Sequence, residues 1–228
     1  MSLTKSSEFR GTHTIVSPSR PAFLKYTDEQ FIQMFHNSYK SALGDEMHLW
    51  AAIQIHQHFT CNSLREMAKS LKTFIFERNR TDRYGLSSKG AMLLTETKQI
   101  SRDTYNTVKT FVNDAIAEGM EEEMELIYSE VIGGTADAAR FKEKEKRLLI
   151  FDLKTGTTLA HMEQLEGYAA LFCLLNNINP LDISYDLRIY QNNEVTVYEP
   201  DPGEIKDIAE RIKHFSGIGK KLYKGGAV

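Results

Sequence analysis

Cysteine is scarce: Cys61 and Cys173 are the two in 228 residues, and both fall inside otherwise helical patterns. They set no disulfide framework and make no metal site, which fits a reducing compartment. No stretch reaches the roughly 18 consecutive apolar residues of a membrane span. The opening MSLTKSSEFRG lacks the apolar core of a signal peptide. The expectation is a cytoplasmic protein. Charge of one sign is lacking too, with 28 Lys and Arg against 31 Asp and Glu and a formal net charge of −3. That excludes a protein that simply coats nucleic acid, yet it leaves room for a local basic track beside an acidic site. There is no GxxxxGK[ST] loop and no helicase motif, so the chain carries no motor of its own.

What is present is an ordinary globular composition, 41% apolar and 26% charged, in a chain sized for one domain. The densest apolar stretch is LLIFDLKTG, Leu148 to Gly156. It reads as a strand at the centre of a sheet, and side chains two apart share a face, so Asp152 and Lys154 point one way while Phe151 and Leu153 point the other. Upstream, GGTADAARF puts Asp137 on a neighbouring strand, and KEKEKR at 142–147 is too charged for anything but the solvent turn between the two. The pair is then a hairpin that brings Asp137 and Asp152 to one edge of a cleft. Downstream, LAHMEQLEGYAALFCLL is a helical pattern through Leu165, Ala169 and Phe172, with Thr157 or Thr158 as its cap. Gln164 and Tyr168 lie one turn apart on one face of it.

This arrangement resembles the PD-(D/E)XK nuclease superfamily and, within it, the RecB-like and phage exonuclease branch. Asp137, after Gly133 and Gly134, falls at the family's first metal-binding aspartate. Asp152 and Lys154 fall at the D/E-x-K element, and Gln164 and Tyr168 at the Q-x-x-x-Y helix. Gly44 to His48 matches an earlier helical G-x-x-x-H element. The resemblance covers roughly residues 44 to 190.

It implies an α/β, mixed α+β fold: a restriction-endonuclease-like core with a central mixed sheet flanked by helices, and a helical N-terminal region. It also implies a metal-dependent deoxyribonuclease, an exonuclease or end-processing enzyme of recombination, repair or replication, acting on DNA. Asp137, Asp152, His48 and the backbone carbonyl of Leu153 would hold Mg2+, with Mn2+ able to substitute. Lys154 would orient or deprotonate the attacking water. Gln164 and Tyr168 would hold the strand end and contact substrate backbone. Glu46 and Glu130 stand as alternative acids. A recombination or replication protein, or a second copy of the chain, would be its protein partner, in the host cytoplasm if a phage encodes it. The competing readings are a catalytically silent nuclease fold that binds DNA ends or a protein, and a helical interaction protein in which the motifs are coincidence.

The rest of the chain falls into order around that core. Residues 1–22 read as an arm, and 23–215 as one domain with a helical part over 23–120, a sheet core over 121–200 and a last helix at about 203–215. A flexible basic tail occupies 216–228. Within the helical part, one helix from Tyr26 to Leu43 is opened by Thr27; Gly44 and Asp45 break it, and a second runs to about Phe59. Further helices cover 62–79 and 101–118, the latter stopped by Gly119. Glu121 to Glu123 read as a solvated cap, with a strand over 125–132 that carries Glu130. Strands at 185–190 and 194–199 flank a turn at Asn192 and Asn193. Two segments are basic. RNRTDRYGLSSKG supplies Arg78, Arg80, Arg83, Tyr84 and Lys89, and the tail supplies Lys220, Lys221 and Lys224. Each is either a solvated segment or a contact to DNA phosphates.

Overall fold

The computed structural model describes residue 16 and residues 21–81, 85–156 and 158–223. Most of the N-terminal arm, Arg83, Tyr84, Thr157 and Lys224 lie outside the described residues. Helix α1 spans Asp28–His56 and opens with a capping box in which Thr27 Oγ1 accepts from Gln30 N and Gln30 Oε1 accepts from Thr27 N. The sequence reading breaks this helix at Gly44; the structure runs straight through it. A Cβ there would stand 2.9 Å from Thr155 Oγ1, so the glycine serves close approach to the strand end carrying Lys154. Burial of Met47, Trp50, Ala51 and Ile55 just beyond it outweighs the ~1 kcal/mol that glycine costs a helix.

Helix α2, Leu64–Arg78, is capped by Ser63 and buries Met67, Leu71 and Ile75. The two-residue strands β1 (Arg80–Thr81) and β2 (Gly85–Leu86) pair antiparallel, and α3 follows at Ser88–Glu96. The basic segment is therefore a small hairpin feeding a helix whose Gly90 weakens its signature, rather than a plain loop. Helix α4, Arg102–Glu118, is capped by Ser101 and ends at Gly119, whose φ of 64° lies in the left-handed region.

The strands are β3 (Glu121–Ser129), β4 (Ile132–Lys142), β5 (Arg147–Lys154), β6 (Ser184–Gln191) and β7 (Glu194–Tyr198). They form one sheet in the order β3-β4-β5-β6-β7. Helix α5, Glu163–Leu175, crosses from β5 to β6, which pair parallel; the other neighbours are antiparallel. The fold is thus mixed α/β, with six helices and a five-stranded mixed sheet among the described residues. Alternation along β5 feeds both faces. Leu149, Phe151 and Leu153 join a core with α1 to α4, while Leu148 and Ile150 join another with α5 and α6.

Other boundaries differ from the sequence reading as well: α5 begins after Met162 with no side-chain cap, so Thr158 does not open it and Thr157 lies outside the described residues. Glu121 to Glu123 begin β3 instead of capping a helix, because an edge strand can turn charged side chains to water. Glu130 lies in the turn after β3, exposed. Helix α6 spans Pro202–Tyr223, so Lys220 and Lys221 form its last turn rather than a tail. Ser216 and Gly219 are buried there, and a Cβ on Gly219 would meet Val131 at 2.7 Å. Among the described residues, no helix is long and apolar enough to cross a membrane.

Candidate functional site

The ladder between β4 and β5 runs from Lys142↔Arg147 to Ala138↔Phe151 and goes no further. The next row would set Asp137 opposite Asp152. There the strands part, and the Leu153 N–H, which in a continued ladder would face a β4 carbonyl, donates instead to Asp137 Oδ2 at 2.8 Å. The N–H and carbonyl of one strand residue point to the same side. The Leu153 carbonyl therefore faces the same opening as the Asp137 carboxylate.

Two further side chains close on these acids. From α1, His48 Nδ1 stands 3.4 Å from Asp137 Oδ2. Burial alone would lower the His48 pKa, but the hydrogen bond and charge of Asp137, joined by Asp152, outweigh it and leave the ring above its ordinary value. From β5 itself, Lys154 Nζ donates to Asp152 Oδ1 at 3.0 Å. The ammonium also lies 2.8 Å from Oδ2, but off the axis on which that oxygen accepts, so Oδ2 is buried without an aligned donor among the described residues. Asp152 is 3% exposed. Burial first, and the Asp137 charge second, push its carboxyl up to about 6 against the pull of Lys154.

A chain of polar contacts continues onto α5. Lys154 Nζ donates to Gln164 Oε1 at 3.1 Å, and Gln164 Nε2 donates to Tyr168 Oη at 3.0 Å. The Tyr168 ring lies on β4 at Gly134, where a Cβ would meet its Cε1 at 2.8 Å. The glycine before Asp137 thus makes room for the tyrosine. Asp137, Asp152, Lys154, His48, Gln164 and Tyr168, scattered over 121 residues of sequence, meet at one sheet end.

Other candidates do not join them. Glu46 is 6% exposed and accepts from Arg78 Nε at 2.9 Å, so acid and base are committed to each other. Two residues from His48 on a helix is the far side of the axis, which is why Glu46 turns away from Asp137 toward α2. Arg78 also covers the Phe74 ring. Glu130 is in the β3–β4 turn, before β4 begins at Ile132, while Asp137 lies five positions into that strand. Arg80 pairs loosely with Glu77 at 3.7 Å, Lys89 is exposed in the first turn of α3, and Lys220 and Lys221 are exposed at the end of α6.

Two residues belong to the site without a sequence signal. Glu123 sits on β3 between Glu122↔Ala138 and Met124↔Ala136, the position facing Asp137, and has a φ of 48°, uncommon for a residue with a Cβ. Partial burial, then the charge of Asp137, raise its pKa, and His48 opposes. Gln191 ends β6 as the register partner of Lys154. Its Nε2 donates to the carbonyls of Gly156 and Thr158 at 2.9 and 2.7 Å, and its Oε1 accepts from Ala160 N at 3.3 Å. It fastens the connection that leads from Lys154 to Gln164.

The donor set fits a hard divalent cation: two carboxylates, a strand carbonyl and an imidazole around a buried carboxylate oxygen with no aligned donor. With His48 against Asp137 and Lys154 against Asp152, no three His, Cys, Asp or Glu side chains among the described residues form a ready-made cage. No protein-family model, no curated protein and no solved structure matches the chain.

Proposed function

We propose that the chain is a divalent-metal-dependent deoxyribonuclease with a restriction-endonuclease-like core, acting at DNA ends as an exonuclease or end-processing enzyme. The observation that supports this best is the meeting of Asp137, Asp152 and Lys154 where β4 and β5 part, with Gln164 hydrogen-bonded to the lysine. A structural ion pair would need one carboxylate beside Lys154. A second one, in a row that repels an anion, is explained by a cation, and phosphodiester hydrolysis uses one. The end preference comes from the resemblance to the RecB-like branch.

Asp137, Asp152 and the Leu153 carbonyl would hold Mg2+, with His48 adding a nitrogen that improves the fit to Mn2+. The bound cation supplies charge neutralisation of the phosphate and a more acidic water. Burial favours the neutral form of Asp152, which would serve as a ligand once ionised. Lys154 is fixed by Asp152 and Gln164, so its ammonium orients a water toward phosphorus and offsets charge on the pentavalent phosphate. Gln164 and Tyr168 keep that ammonium in register with β4 through the ring seated on Gly134. Asp137 and Asp152, which His48 and Lys154 contact in the structure, would be the acids that hold the cation.

The test is cleavage of end-labelled linear duplex and single strands beside a closed circle, with Mg2+, Mn2+ or EDTA. Metal-dependent loss of linear substrates alone, abolished in Lys154→Ala, is the expected result. Cutting of the circle would make the enzyme an endonuclease. Tight DNA binding without cleavage would leave the fold as a binding module and end the enzymatic reading.

A further inference from the structure

The outward face of α2 carries a basic row that the site does not use. Arg65, Lys69, Lys72 and Phe76 follow at spacings of four, three and four, which puts them on one stripe of a helix. Met67, Leu71 and Ile75 are buried on the opposite side. All four stripe residues are exposed. Among the described residues no ion pair engages Arg65, Lys69 or Lys72, and Glu66 and Glu77 fall to one side of the stripe instead of interrupting it.

At the Phe76 end the stripe borders a cleft of about 380 Å³ lined by Lys72, Thr73, Phe76, Leu94 and Lys98. Two ammonium groups thus flank an aromatic ring that is 37% exposed. In a chain of net charge −3, Arg65, Lys69, Lys72 and Lys98, with no carboxylate partner among the described residues, concentrate positive potential locally. A phenylalanine between them offers a π-face that a duplex, with its bases stacked, does not need. An unpaired base does. Arg78, half a turn beyond Phe76, is bonded to Glu46, two residues from His48. The aromatic end of the stripe is thus joined to the helix that carries His48, as the middle of α2 is through Trp50 Nε1 donating to Ser70 Oγ.

We propose that this face is a binding track for single-stranded nucleic acid, with phosphates along Arg65, Lys69, Lys72 and Lys98 and a base against Phe76. The proposal rests on nucleic acid being the substrate of the site above, but not on the chemistry there. Arg65 and Phe76 stand about 16 Å apart along the helix axis, enough for a few nucleotides.

The experiment measures anisotropy of a labelled oligothymidylate against the full chain in EDTA, over a range of salt. Four neutralised phosphates predict a log–log salt slope of about −2.8 from this face, and Lys69→Gln, Lys72→Gln and Lys98→Gln together should reduce the total slope by about 2. Phe76→Ala should weaken binding about tenfold and leave the slope alone, and a duplex of equal length should bind more weakly than the single strand. A slope that the triple substitution leaves unchanged overturns the track. So does a silent Phe76→Ala, which would make the face a general polyanion surface of the kind that meets an acidic protein. Cleavage by the wild type with binding indifferent to these residues would reject the track and keep the nuclease. Binding as stated with no cleavage under any metal would do the reverse.

Discussion

The Tyr168 ring rests on the backbone of Gly134, so close that a Cβ added there would stand 2.8 Å from its Cε1. That contact couples α5 to the strand carrying Asp137, and through Gln164 it reaches Lys154. Gly134→Ala should therefore push the ring aside and disturb the lysine while the sheet persists. Steady-state cleavage should fall at least about tenfold, equivalent to ~1.4 kcal/mol of barrier. A Cβ added at the neighbouring Gly133 would stand 2.9 Å from Ile127 Cα, which is backbone and cannot swing away. Gly133→Ala should accordingly cost more stability, about 1–3 kcal/mol by denaturant titration. Equal effects of the two on activity and stability would refute the assignment.

Glu46 and Arg78 are a structural pair. Removing the guanidinium leaves a carboxylate that is 6% exposed without its partner, so Arg78→Ala should destabilise by about 2 kcal/mol. Arg80, more exposed and 3.7 Å from Glu77, should lose no more than about 0.5 kcal/mol as alanine. Glu46→Gln in the Arg78→Ala background should recover part of the loss. Chemical denaturation of the four proteins checks this, and a neutral Arg78→Ala would return Arg78 to the phosphate contacts.

Much of the core was legible because local signals and tertiary demands coincide there. The apolar run before Asp152, the charged KEKEKR turn, and Asn192 and Asn193, both with positive φ, mark strands and turns without reference to anything distant. Gly44 misled because its reason is a contact with Thr155, 111 residues away. Glu46 misled for the same kind of reason, its partner Arg78 lying on another helix. Glu123 and Gln191 were invisible in a different sense. One is placed by strand register and an unusual φ, the other by hydrogen bonds to a connection that has no pattern of its own.

The metal-free protein should become less stable as pH rises through the acid range. Asp152 has a folded pKa of about 6 against an ordinary 3.8, so folding takes up a proton between those values. Its protonated form is favoured by the fold, fully so below about 4, and the benefit is lost as pH climbs through 6. His48 acts in the same direction, since its raised pKa gives stability that is present below 6.5 and lost as pH rises through the folded value. Asp152→Asn fixes the neutral form. In EDTA it should match the wild type near pH 4 and exceed it above pH 6, by up to ~3 kcal/mol. Added Mg2+ should reverse the order by stabilising the wild type alone. Urea titrations at the two pH values decide the matter, and a pH-independent difference would sink it.

Gln191 spends both Nε2 protons and its Oε1 on the backbone between Lys154 and Gln164, and it is only 9% exposed. Its role is to position that connection. It does not touch the reacting atoms, so its loss should appear in kcat rather than KM. Gln191→Ala removes the three bonds but lets water replace them, and kcat should drop on the order of tenfold. Gln191→Glu is the harsher change despite its matching shape. It sets carboxylate oxygens against the carbonyls of Gly156 and Thr158, where the amide had donated. The connection should be expelled from its seat, kcat should fall further than in the alanine variant, and the Ala160 amide should exchange freely in both. Hydrogen exchange at Ala160 beside steady-state kinetics separates the possibilities. Fast exchange with an unchanged kcat would show that the connection is held for packing alone, and that Lys154 meets Gln164 without its help.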